Sequence, residues 1–177
     1  MKKKCLTLIL SVLAFLGCMR MVVQAFPASA MIGIQNTLQE KTNWCWAACC
    51  TSCIKYYGNT VSQGAFVYYV KGSTDNVTAY FSEMQTGLSH YNISSHYASG
   101  TITYNDIMTH IYTSQRPVIA GTYIGGPVGH AIVIKGYATN SGTNYVLYMD
   151  PWTGSQQSST YSTFSMYWIC NLDNIHN

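Results

Sequence analysis

The hydrophobic positions of this chain change period part-way along it. From Trp44 to Tyr57 almost every position is apolar or small (Trp46, Ala47, Ala48, Cys49, Cys50, Ile54), and no charge appears before Lys55. That is the pattern of a helix buried on most sides. With Asn43 as a good N-cap and Gly58 as a stop, a helix is predicted over Trp44 to Tyr57. Two shorter helices are predicted over Val61 to Val70 and Val77 to Gln85, followed by Gly72 and Gly87. Thr103 caps a fourth, Tyr104 to Thr113, which sets Tyr104, Ile107, Met108 and Ile111 on one face and ends at Arg116-Pro117.

Beyond Pro117 the pattern becomes that of strands. Pro117 to Tyr123 is one, broken by Gly125-Gly126-Pro127, and His130 to Ala138 is a second. Asn140-Ser-Gly-Thr is a turn signal, and Tyr145 to Asp150 is the returning strand of the hairpin. A last strand is predicted near Phe164 to Cys170, and a short one around Tyr91 to His96 within an irregular stretch. Phe26 to Leu38 is a lead-in without helical period, too short for a folded inhibitory pro-segment. Helices first and antiparallel strands later make the class α+β, in one domain without internal repeats.

The first thirty residues stand apart. Lys2-Lys3-Lys4 precedes an apolar run from Leu6 to Gly17, and small residues follow, with cleavage sites after Ala25 or after Ala30. The run falls short of the ~20 residues a membrane span needs, so 1–30 reads as a secretory signal and 31–177 as the domain. Lipidation at Cys18 is the weaker alternative, because Phe15 and the segment after Cys18 suit it poorly. Four of the nine Lys+Arg leave with the signal, so five cations face six acids and the balance is −1. No basic run remains to neutralise phosphates, which removes the usual footprint of nucleic-acid binding.

Cys45, Cys49, Cys50, Cys53 and Cys170 remain. An odd count leaves at least one unpaired thiol, assigned to Cys45. Cys49, Cys50 and Cys53 share one helix and cannot bridge to one another without strain. Either one of them pairs with Cys170, or all four are small buried apolar residues. Cysteine and histidine spacings form no paired zinc-ligand pattern, and no cofactor is expected.

Candidate chemistry concentrates in Gln39-Glu-Lys-Thr-Asn-Trp-Cys45-Trp46. A thiol opening a helix ionises more easily than a free one. Gln39 can return across the loop and offer its NH2 beside the Cys45 backbone N–H, two donors for an oxyanion. A cysteine nucleophile needs a base. Among five histidines, His130 stands out because it follows Gly129 and opens the buried strand Ala131-Ile-Val-Ile. Asp150 ends the hairpin that His130 begins, so antiparallel pairing brings the two side by side, and Trp152 can cover them from water. Taken singly, a strand-mouth histidine and an Asp-Pro turn are as often structural.

Together, Gln39 and Cys45-Trp46, Gly129-His130 and Asp150-Pro151-Trp152 make the chain resemble the papain-like cysteine peptidases, most closely their small bacterial C39-like branch. The resemblance implies a papain-like fold, with Cys45 as nucleophile, His130 as general acid/base, Asp150 as its orienting partner and Gln39 as oxyanion donor. It implies a monomer acting on a peptide or protein substrate through a thioester. Papain has Asn where Asp150 stands, and the C39 group proper works inside an export transporter, so that specificity is not carried over. An amidase or acyl transferase using the same triad, and a tyrosine-rich secreted binding module, are the rival readings.

Overall fold

The computed structural model describes residues 25–123 and 129–177. The N-terminal segment through residue 24 and the whole Gly125-Gly126-Pro127 breaker therefore lie outside the described residues. Helix α1 spans Cys45–Tyr56, and every residue from Trp46 to Ile54 is buried. Helices α2 (Gln63–Lys71) and α3 (Phe81–His90) pack beside it. The short helix α4 (Tyr104–Met108) continues as a π-helical turn over Thr109–Thr113, where a single α-helix was predicted.

The sheet comprises β1 (Ser29–Met31), β2 (Ser94–Ser99), β3 (Val118–Thr122), β4 (His130–Asn140), β5 (Thr143–Asp150), β6 (Ser155–Thr160) and β7 (Trp168–His176). All pairs are antiparallel, in the order β2-β7-β3-β4-β5-β6, with β1 also on β4. The α+β expectation holds. Helix α5 (Tyr161–Tyr167) occupies part of the segment predicted as the last strand, because the Thr160 hydroxyl caps it by accepting the Thr163 N–H. The lead-in is also more than a connection. Ser29, Ala30 and Met31 pair with Ala138, Tyr137 and Gly136 of β4. Gly136 permits that approach, since a Cβ there would lie 2.9 Å from the Ala30 carbonyl oxygen.

Strand β4 is the axis of the molecule. Ala131 to Tyr137 are all buried, with Ile132, Val133 and Ile134 fully so. Its hairpin with β5 turns through Ser141 and Gly142, both with positive φ, so two residues suffice to reverse the chain. The pairing then slips at Lys135. Gly136 pairs with Leu147 but Ile134 pairs with Tyr148, leaving Lys135 as the extra residue of a bulge. Its side chain is buried, and its ammonium donates to the Ile34 carbonyl at 2.9 Å and to Asn36 Oδ1 at 3.0 Å. Burial lowers the lysine pKa, yet the two oxygens accept from it.

Lys135→Met keeps the length of the stem but leaves both acceptors without their donor. Urea unfolding should show a loss of about 1–3 kcal/mol; an unchanged midpoint would mean that water replaces the ammonium freely.

Candidate active site

Cys45 opens α1, as the sequence predicts, but Asn43 does not cap it. The N-cap position is Trp44, without a side-chain bond, and Asn43 is engaged elsewhere. The thiol is half-buried, which by itself raises its pKa. Hydrogen bonds from the His130 ring and from the Ala131 and Trp46 backbone N–H groups outweigh burial, and the pKa falls below its ordinary value. Magnitudes identify the main cause. A helix end stabilises a nearby anion by roughly 0.3–1 kcal/mol, whereas opposite charges ~4 Å apart interact by about 4 kcal/mol at an effective dielectric of ~20. His130, more than the helix end, makes the thiol acidic.

His130 holds both neighbours. Its Nε2 lies 2.8 Å from Asp150 Oδ1, which leaves the other edge of the ring for the hydrogen bond to Cys45. Burial would lower the imidazole pKa, but the bonds to Asp150 and to Cys45 raise it to about 9. Asp150 is displaced the opposite way: burial raises it, while His130 and the Trp152 backbone N–H (2.9 Å to Oδ1) together bring it below its ordinary value. All three shifts favour the charged form of each group: thiolate, imidazolium and carboxylate.

The bulge explains how Asp150 reaches His130. Near the turn, Asn140 pairs with Thr143; continued unbroken, that register would set Asp150 opposite Val133, on the face away from His130. The slip at Lys135 pairs Val133 with Met149 instead. One step further sets Asp150 opposite Ile132, on the same face as His130 and diagonal to it. The two are diagonal neighbours rather than directly opposed, and the extra residue puts them on one face.

Trp152 is 60% exposed, and its backbone N–H donates to Asp150 Oδ1. Gln39 does fold back and is buried. Its own N–H donates to the Pro151 carbonyl at 2.8 Å, tying the loop to the Asp150 turn. Its Nε2 donates to the Lys41 and Thr42 carbonyls at 2.9 and 2.7 Å, and its Oε1 is buried without a hydrogen-bond partner among the described residues.

Cys49, Cys50, Cys53 and Cys170 are free and buried, as the second reading of the cysteines expected, and burial raises all four thiols. One supporting residue escaped the sequence reading. Gln63, buried at the start of α2, donates to the Leu38 carbonyl and accepts the Glu40 N–H, bracketing Gln39 on both sides. An amide at the buried end of a short apolar helix was the only available signal.

Residues 31–171 match the Peptidase_C39-like family. The chain belongs to that family. It is a cysteine peptidase with a papain-like fold. A C39-like peptidase from Bacillus anthracis superposes with a TM-score of 0.61 at 13% identity, over 82% of this chain and 97% of that one. A double glycine motif protease from an AMS/PCAT transporter, in complex with its leader peptide, gives 0.57 at 15% identity, over 84% and 96%. Digestive procathepsin L 3 of the Tenebrio molitor larval midgut gives 0.61 at 11% identity, over 85% and 70%. No curated protein matches the chain in sequence.

The pKa directions define a pH signature for this C39-like peptidase. With Cys45 as candidate nucleophile and His130 as candidate acid, hydrolysis should rise as Cys45 ionises below its ordinary pKa and fall as His130 loses its proton near 9. Alkylation of Cys45 by iodoacetamide needs only the thiolate and should persist above that pH. Parallel pH–rate profiles check this; two profiles that fall together at the alkaline limb would contradict it.

Proposed function

We propose that the protein is a secreted, monomeric cysteine peptidase in which Cys45, His130 and Asp150 form the catalytic triad. The observation that carries the reading is the single imidazole hydrogen-bonded to both the thiol and the carboxylate. The Cys45 thiolate attacks the carbonyl carbon of a peptide bond, and the carbonyl π electrons move onto oxygen. The Cys45 backbone N–H and the Gln39 amide stabilise that oxyanion, the latter by turning one N–H from a loop carbonyl to the stronger, charged acceptor. Imidazolium His130 gives its proton to the leaving nitrogen as the C–N bond breaks. Neutral His130 then takes a proton from water, which attacks the thioester and releases the carboxylate product and the thiol. Asp150 holds the ring and favours its charged form throughout.

The substrate is a peptide or protein. The bound leader peptide of the double glycine motif protease supports a peptide chain as ligand. For secretion the support is the basic start, apolar run and small residues of the first thirty positions. Strand β1 favours cleavage after Ala25 over Ala30, because the latter would cut between the second and third residues of a paired strand. Among the described residues no helix is long and apolar enough to cross a membrane.

Mature protein incubated with a diverse peptide library under reducing conditions should yield cleavage products by mass spectrometry. Cys45→Ala should yield none while folded, and His130→Ala should lose about 10³-fold or more. Asp150→Asn should lose less, since an amide oxygen still accepts from the ring, and its alkaline limb should move to lower pH. Full activity of Cys45→Ala would refute the assignment of the nucleophile.

A further inference from the structure

The connection between α2 and α3 lies against the loop that carries Gln39 and Cys45, and almost every residue of that loop is bonded to it. Lys41 Nζ donates to the Thr74 carbonyl at 2.6 Å. Thr42 Oγ1 accepts from Asn76 Nδ2 at 2.7 Å. The Asn43 N–H donates to Asn76 Oδ1 at 2.9 Å, and Asn43 Nδ2 to the Asn76 carbonyl at 2.8 Å. The Trp44 indole N–H donates to the Asp75 carbonyl at 2.9 Å, and that of Trp46 to the Val77 carbonyl at 3.1 Å. Cys45, in the middle of this run, instead directs its sulfur to His130 and β4.

Asn76 alone supplies three of these bonds, two through its side chain. They end on Thr42 and Asn43, and the Thr42 carbonyl is one of the two acceptors that hold Gln39 Nε2. The base of the connection is fixed independently by the ion pair of Lys71 on α2 with Glu83 on α3, at 2.6 Å. The connection is thus an anchored template, and Asn76 is its contact with the peptide units between the two oxyanion donors. This also explains why Asn43 leaves α1 uncapped: its side chain is spent on Asn76.

We propose that Asn76 is a positioning residue for the oxyanion hole, acting through Thr42 and Asn43 on Gln39 and the Cys45 N–H. This rests on the roles given above to Cys45 and Gln39. Asn76 is solvent-exposed, so its hydrogen bonds contribute little to global stability, and its removal should be felt in geometry rather than folding. Misplacement of a donor by a fraction of an ångström weakens only the step in which charge develops on oxygen. The thiolate–imidazolium pair should not change, because the Cys45 sulfur is held by the His130 ring and the Ala131 N–H of β4.

Two probes of the mature protein separate these effects. Acylation by p-nitrophenyl acetate forms a sulfur–carbon bond, passes through an oxyanion and expels p-nitrophenolate. Iodoacetamide alkylates the same thiolate by direct displacement of iodide, with no oxyanion. Asn76→Ala should slow acylation on the order of tenfold, with alkylation rate, its pH profile and Tm unchanged. Asn76→Asp, which keeps the acceptor for the Asn43 N–H but loses the donor to Thr42, should fall between the two. Gln39→Ala should show the same split, and adding Asn76→Ala to it should cost little more. Acylation by Asn76→Ala at the wild-type rate would overturn the proposal. So would a parallel fall in acylation, alkylation and Tm, which would make the contact a structural clamp. Failure of the underlying reading looks different: Cys45→Ala would then be acylated as fast as wild type.

Discussion

One extra residue in a strand decides whether Asp150 meets His130. Without the bulge at Lys135, the hairpin register would set Asp150 opposite Val133 and turn its side chain from His130. With it, carboxylate and imidazole meet at 2.8 Å. The bulged residue also binds the stretch Ile34 to Asn36, which runs on to Gln39. The same irregularity therefore aligns His130 with Asp150 and anchors the segment that leads to Gln39, the proposed oxyanion donor. A buried lysine without a carboxylate partner is costly, which makes sense at a point where two parts of the site are tied together.

The electrostatics follow from that alignment. A half-buried thiol and a half-buried imidazole would each resist charging if alone, because both pay for leaving water. Brought together, each favours the charged form of the other, and Asp150 adds a second anion on the far edge of the ring. The sulfur also accepts two backbone N–H bonds from Ala131 and Trp46, one from β4 and one from α1. Cys49, one helical turn along, has burial without such donors, and its thiol is pushed up rather than down. The contrast between Cys45 and Cys49 is one of surroundings, not of residue type.

Much of this was legible in the sequence. The buried helix, the hairpin and the order of helices before strands follow from hydrophobic period and turn residues, which are local. Cys45, His130, Asp150 and Gln39 could be singled out because each sits at the end of an element or beside a turn. What could not be read depends on non-local pairing. The bulge lies inside an unbroken run of β formers and has no local mark. Strand β1 is too short to show a period, and its role is visible only when Gly136 receives it. The N-cap of α1 was misplaced because Asn43 meets Asn76, thirty-three residues away. The bond from the Trp152 backbone N–H to Asp150 was missed too, because it depends on the shape of the turn and not on residue type.

The charged state of His130 is the quantity on which the catalytic account turns. Nitrogen-15 NMR of the imidazole across a pH series measures it directly in the resting protein. The ring should remain an imidazolium through neutral pH and lose its proton near 9, with the Nε2 proton hydrogen-bonded to Asp150. Titration near 6.5, the value of an unpaired histidine, would show that the thiolate–imidazolium pair does not form and would contradict the account.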